Sequence, residues 1–172
     1  MIIVVGLGNI GPAYAKTFHN MGFMVADRFA EKLNIQYTKE KYKAIIGEGF
    51  YNGQKILIAK PTTYMNNSGE SLSLLKSKNK EARIIVLVDD IDLEKGVVRY
   101  RQHGSSGTHN GLRSIVEYIG EEFERIKIGV GRDKSMDLAD FVLSKIKKED
   151  QELFDNAINK AVEVLMEKIS WI

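Results

Sequence analysis

The chain has 172 residues, 44% hydrophobic and 28% charged, which suits one folded domain with a substantial core. The absence of cysteine excludes disulfides and thiolate metal sites and makes a reducing cytoplasm the simplest compartment. A formal net charge of +2 neither demands nor forbids a nucleic-acid partner, so the local arrangement of charge has to decide.

The opening residues, Met1 to Gly6, lack a basic leader and read as a strand rather than a signal peptide, and no apolar run reaches the length of a membrane span. Ile2 to Val5 is almost wholly apolar and β-branched, as expected of a strand buried on both faces. An amphipathic helix follows over 21–33, with Ala26, Phe29, Ala30 and Leu33 on one face. Strands at 44–50 and 55–60 join through Asn52-Gly53, a strong hairpin signal. Ile84 to Val88 is a second doubly buried strand. Val97 to Arg101 and Arg125 to Val130 are further strands. In the last, Ile126, Ile128 and Val130 face one way, and Arg125 and Lys127 the other. A helix over 149–167 carries Leu153, Ala157, Ala161 and Leu165. The expected architecture is a single α/β domain spanning 1–172, with a twisted mixed sheet between helices.

Gly6-Leu7-Gly8-Asn9-Ile10-Gly11 follows the first strand and matches the G-x-G-x-x-G fingerprint. Dinucleotide binding needs a helix starting inside the motif and an acid ending a second parallel strand. Here Pro12 follows at once and a polar stretch runs to Asn20, so the motif reads as a tight turn that presents Asn9 at a strand's carboxyl end.

Three histidines exist, His19, His103 and His109. His19 stands in the loop leaving the first strand, beside Asn20 and Gly22, which favour irregular backbone. Asp89 ends another buried strand and shares the same rim if the two strands are parallel. A carboxylate beside an imidazole fixes its tautomer, the arrangement a general base needs, and such a base contributes about 10²–10⁴-fold in rate. The run Asp89-Asp90-Ile91-Asp92 also allows a solvated acidic turn or a magnesium site. Asn9, Asn66 and Asn110 each follow strand-like segments, and amides can hold a water or an oxyanion without titrating. No serine occupies a nucleophile elbow, and the histidines lack zinc-ligand spacing. Attack by a water activated by His19, without metal or cofactor, is what remains.

Together these residues resemble bacterial peptidyl-tRNA hydrolase. The stretch from Gly6 to Gly11 through Tyr14, Thr17, His19, Asn20 and Gly22 is similar to its opening signature. Pro61 to Gly69, expected as a loop after the hairpin strand, Asp89 to Gly96 and Gly107 to Leu112 resemble three more motifs, and Arg125 to Gly131 and Asp140 to Leu143 later segments. The resemblance implies hydrolysis of the ester between a peptide and the terminal ribose of tRNA, recycling tRNA from abandoned translation. It implies His19 as base, Asp89 as its support, and Asn9 on the peptide part. Tyr14, Tyr64, Met65, Asn66 and Asn110 would line the substrate and water site, with His109 at the tRNA end. Arg101 and Lys127 match positions that grip a phosphate of the acceptor stem, with Arg99 beside them. Arg99 and Arg101 are two apart on a strand and share a face, as do Arg125 and Lys127. A segment around Met136 to Leu143 is expected to cover the site. The resemblance further implies a monomer acting in the cytoplasm with peptidyl-tRNA as partner, no protein partner and no membrane.

The chain departs from the family pattern at Ile10 (usually proline), Phe18 (usually arginine, so a charge beside the base is missing), Val88 (often histidine) and Thr108 (commonly glycine). It also stops at Trp171-Ile172, where relatives continue briefly. A non-catalytic RNA-binding relative is the principal competing reading, and the intact His19, Asp89, Asn9 and Asn110 argue against it.

Overall fold

A computed structural model describes residues 1–170; Trp171 and Ile172, the expected point of departure from the family pattern, lie outside the described residues. Strand β1 (Ile2–Gly6) is followed by helix α1 (Met21–Lys32), β2 (Tyr37–Lys41), β3 (Ala44–Tyr51) and β4 (Gln54–Pro61). Then come α2 (Ser68–Lys78), β5 (Arg83–Asp90), β6 (Val98–Arg101), α3 (Asn110–Ile119), β7 (Glu124–Gly129), α4 (Leu138–Val142) and α5 (Gln151–Ile169). Seven strands form one sheet in the order β2-β3-β4-β1-β5-β7-β6. The inner strands β4, β1, β5 and β7 run parallel, while β2, β3 and β6 add antiparallel edges. The expected single α/β domain with a mixed sheet between helices is what the structure shows.

The strand period of two sorts the core. Ile2 and Val4 of β1 and Ile85 and Leu87 of β5 pack under α1 and α5, together with Phe29, Phe154 and Leu165. Ile3, Val5, Ile84, Val86 and Val88 face the other way, onto Leu72, Leu75, Leu112 and Ile115 of α2 and α3. Burial on both faces is why these strands read as unbroken apolar runs. Asn52 and Gly53 both take positive φ, at 51° and 77°, the geometry of a tight hairpin turn. The edge strand β2 carries Lys39, Glu40 and Lys41 on an exposed ribbon, charges that discourage pairing with another edge. No helix of the described residues is long and apolar enough to cross a membrane.

Four expectations need correction. Leu153 is 39% exposed, while Phe154, Ala157, Ile158, Ala161, Val162 and Leu165 form the buried face of α5. A ridge of four-residue steps drifts around a helix of 3.6 residues per turn, so its first member leaves the core stripe. Arg125 is not on a solvated face beside Lys127; its side chain is fully buried. Gly22 does not mark irregular backbone but lies in the first turn of α1. There a Cβ would collide with the Leu87 carbonyl oxygen, and one on Gly6 with the Gly22 carbonyl oxygen, so these two glycines let α1 press its backbone against the ends of β1 and β5. Ser68 and Gly69, read as loop, already belong to α2.

Candidate active site

The parallel pairing of β1 with β5, with Gly6 opposite Leu87, brings the carboxyl ends of both strands to one rim. There the strand ends carry Asn9 and Asp89, as open α/β sheets place their ligand sites. His19 sits in a single 3-10 turn, Phe18–Asn20, that runs directly into α1, so the close contact of α1 with the strand ends also fixes the histidine.

His19 Nδ1 lies 2.9 Å from Asp89 Oδ2, and His109 Nε2 lies 2.9 Å from Asp89 Oδ1. One buried carboxylate thus serves two imidazoles. Burial pushes the Asp89 carboxyl up, but the neighbouring His109 and then His19 pull it down further, so it ionises well below the usual carboxylate range. The second nitrogen of His109 sets the tautomers. His109 is the N-cap of α3, and its Nδ1 accepts from the backbone N–H of Gly111 at 3.1 Å and of Leu112 at 3.2 Å. Nδ1 therefore carries no hydrogen, and Nε2–H donates to Asp89. The remaining Asp89 oxygen accepts from His19 Nδ1–H. In the neutral ring the other nitrogen, His19 Nε2, carries no hydrogen; it has no hydrogen-bond partner among the described residues, and the residue is 9% exposed. The two rings lie 5.0 Å apart between centroids.

The rings line a cavity of about 350 Å³. Asp89, His109, Asn110, Lys127, Ser106 and Thr108 share it with His19, and Asp137, Leu138, Ala139 and Val142 form its wall at α4. The expected cover from the segment around Met136 to Leu143 corresponds to this wall. Asp90 and Asp92, for which the sequence allowed an acidic turn or a magnesium site, also line the cavity.

Asn9 is not among the residues lining the cavity but is tied to Asn20, the neighbour of His19. Asn9 Oδ1 accepts from Met65 N–H at 2.8 Å, which orients the amide and leaves Nδ2 as a donor without a partner among the described residues. Asn20 grips the Asn9 backbone on both sides, accepting from its N–H at 2.8 Å and donating to its carbonyl at 2.9 Å. The sequence marks Asn20 as a turn former and a member of the opening signature, without this hold on Asn9; its adjacency to His19 and its amide are the signals for it. The residue before Met65, Tyr64, takes φ 61°, strained for an aromatic side chain, and is 54% exposed. Met65 is buried with its sulfur against Gly111 of α3. Asn66 and Asn110 are exposed, and Tyr14 is half-buried; of these three, Asn110 lines the cavity.

The basic residues divide. Arg99 pairs in register with Lys127 across β6 and β7, so both share a face. Lys127 lines the cavity 3.7 Å from Asp90. Arg99 and Arg101 are exposed on the edge strand, outside the cavity lining. Phe18, in place of the arginine usual there, points away from the site: it stacks on Phe141 at 4.9 Å and meets Phe154 edge-on at 5.6 Å. It links the His19 turn to α4 and α5, a link extended by the hydrogen bond from Phe18 N–H to the Ser144 carbonyl.

The ligand atoms of His19, Asp89 and His109 all lie within 4.8 Å of one another, close enough to be weighed as a metal site. Three of the four imidazole nitrogens and both carboxylate oxygens are already engaged with one another or with backbone N–H groups. The arrangement suits proton transfer at the one free nitrogen.

Residues 3–170 match the family model described as peptidyl-tRNA hydrolase. Curated relatives bearing that name include one from Finegoldia magna, 43% identical over 99% of this chain and 94% of its own length. Another, from Clostridium perfringens, is 45% identical over 97% of this chain and 90% of its own. Among solved structures, a peptidyl-tRNA hydrolase mutant from Acinetobacter baumannii superposes with a TM-score of 0.91 at 36% identity, covering 96% of this chain and 87% of that one. With a match over nearly its whole length, and with relatives this similar, the chain belongs to the peptidyl-tRNA hydrolase family of hydrolases.

Proposed function

We propose that the chain cleaves the ester joining a peptide, or an N-blocked amino acid, to the 3′-terminal ribose of tRNA, using a water activated by His19. The observation that carries this is the position of His19 Nε2, which has no hydrogen-bond partner among the described residues while Asp89 holds Nδ1–H, so that in the neutral ring Nε2 is the nitrogen able to accept a proton. A water held at Nε2 gives it a proton as its oxygen attacks the ester carbonyl. The ionised Asp89 stabilises the imidazolium that forms. The tetrahedral oxyanion takes hydrogen bonds from amide donors, for which Asn66 and Asn110 are the candidates. As the C–O bond to ribose breaks, the imidazolium returns the proton to the departing oxygen, and acid and alcohol are released.

Asn9 Nδ2 is the donor for the peptide part, which separates blocked from free aminoacyl ends. Met65, Tyr64 and Tyr14 flank it. His109 has both nitrogens occupied, so the tRNA end meets it by its ring rather than by a hydrogen bond. Lys127, Arg99 and Arg101 hold acceptor-stem phosphates, and the protein acts as a monomer in the cytoplasm.

The test is release of the amino acid from N-acetylated and from unblocked aminoacyl-tRNA. The blocked substrate is expected to be cleaved, the free one hardly, and chelators to have no effect. His19→Ala is expected to abolish most cleavage while leaving the fold intact; retained activity would overturn the role of the base. Tight tRNA binding with no turnover would instead support a non-catalytic binding module, and loss of activity with a chelator would point to a metal at His19, Asp89 and His109.

A further inference from the structure

Arg125 is the residue that the mechanism leaves unused. Its side chain is fully buried on β7, and its guanidinium carbon lies 3.9 Å from the centroid of the Phe123 ring. No carboxylate of the described residues stands within ion-pair distance; Glu121 and Glu122 act on it only from farther away. Its Nε has no hydrogen-bond partner among the described residues. An unpaired buried charge costs several kcal/mol, and an apolar side chain of similar length would fill the space more cheaply. What an apolar side chain cannot do is collect carbonyl groups. One terminal nitrogen donates to Glu121 O at 2.8 Å and Phe123 O at 3.0 Å, and the other to Ser105 O at 3.4 Å.

These carbonyls bracket α3. Ser105 lies in the loop leading into the helix, and Glu121 and Phe123 in the turn leaving it. The planar fork of a guanidinium is suited to holding two separate backbone segments at once. Against α2, the helix is seated at its middle by the close contact of Gly69 with the Ser114 carbonyl and by the hydrogen bond from Gly69 N–H to Ser114 Oγ at 2.9 Å, whereas the carbonyls that Arg125 gathers lie beyond its two ends. We propose that Arg125 is a positioning residue that fixes α3 along its axis and so holds His109 on Asp89. A slip of α3 by one residue is about 1.5 Å. That is enough to break a 2.9 Å hydrogen bond between His109 and Asp89. The carboxylate would then lose the second donor that dictates its orientation toward His19. This inference rests on the proposed roles of His19, Asp89 and His109.

The experiment compares wild type with Arg125→Met in three readouts: kcat on N-acetylated aminoacyl-tRNA, affinity for deacylated tRNA, and the ¹⁵N signals of the imidazoles by NMR. A misplacement on the ångström scale predicts a fall in kcat of about 10- to 100-fold. Affinity should stay within about twofold, because Arg125 reaches no solvent. The His109 Nδ1 signal should shift from that of an unprotonated nitrogen toward a tautomer average. Unchanged His109 signals would overturn the positioning role whatever the activity. Changed signals with unchanged kcat would refute the link to catalysis and count against the His19–Asp89–His109 reading itself. If the methionine variant does not fold, Arg125→Lys is read in the same way. It keeps the charge but gathers its donors on one nitrogen, so it should lose kcat with the same NMR change, and wild-type behaviour in both would overturn the proposal.

Discussion

Replacing Asp89 by asparagine tests the proton arrangement with almost no change of shape. Asparagine offers one acceptor and one donor where the carboxylate offers two acceptors. Both histidines now compete for the single carbonyl oxygen. His109 Nδ1 is held as an acceptor by the N–H groups of Gly111 and Leu112, so its Nε2 must keep its hydrogen and take the asparagine oxygen. His19 then faces the asparagine NH₂. To avoid donor against donor, it must accept through Nδ1 and carry its hydrogen on Nε2, the nitrogen meant to receive the proton of water. The base is thereby switched off by tautomer rather than removed. Loss of general-base catalysis predicts a fall in kcat of about 10²–10⁴-fold, or roughly 3–5 kcal/mol of barrier, with KM little changed. Steady-state hydrolysis of N-acetylated aminoacyl-tRNA measures it. Activity within about tenfold of wild type would refute the tautomer reasoning. The same variant tests linkage. A carboxyl whose folded pKa is depressed from the ordinary 3.8 adds stability above that pH and loses it as the pH falls further. The stability gap between wild type and Asp89→Asn should therefore be widest near neutrality and shrink below pH ~4 in chemical-denaturation series.

Other perturbations follow from single contacts. Asn9→Asp keeps the acceptor for Met65 N–H but loses the Nδ2 donor, so folding should persist while kcat/KM on the blocked substrate drops about tenfold or more; unchanged kcat/KM would remove Asn9 from peptide recognition. Asn9→Ala should in addition cost about 1–3 kcal/mol in denaturant unfolding, because a buried Met65 N–H loses its partner. Arg101→Gln should lower the salt slope of tRNA binding by about 0.7–0.9, the share of one phosphate contact, and an unchanged slope would move the clamp elsewhere. Phe18→Ala should cost about 3–5 kcal/mol in denaturant unfolding, as expected for emptying a packed aromatic cluster, and a near-zero effect would contradict the stacking on Phe141 and Phe154.

The legible parts of this protein are those governed by short-range periodicity. Doubly buried β1 and β5, the Asn52-Gly53 hairpin and the helix beginning near Met21 all announce themselves within a dozen residues. The rim that gathers Asn9, His19 and Asp89 followed once the strands were taken as parallel. The rest depends on contacts that no local pattern encodes. Arg125 shares its strand parity with Lys127, yet one is buried and the other lines a cavity, because the loop from Ser105 folds over the first. Phe18 looked like a missing charge beside the base, whereas its ring turns into the core to meet residues more than a hundred positions away. The resemblance gives His109 as a contact for the tRNA end, whereas its capping of α3 depends on where that helix starts. Helix α2 escaped notice because Ser68 and Gly69 have the composition of a loop, and Gly69 is needed there for its approach to α3.

The sharing of Asp89 between two imidazoles also fixes the net charge that the cavity must tolerate. In the proton arrangement proposed for the base, with both rings neutral, the group carries one negative charge. When His19 takes the proton of water in the proposed reaction, that group becomes neutral and the negative charge reappears on the substrate oxyanion. Charge is thus relocated across the cavity rather than created, which lowers the electrostatic work of the step in a poorly polarisable interior. The relocated charge arrives near Asp90, Asp92 and Asp137, which repel it, and near Lys127, which attracts it. The balance among these four side chains should therefore tune the rate without any of them touching the bond that breaks.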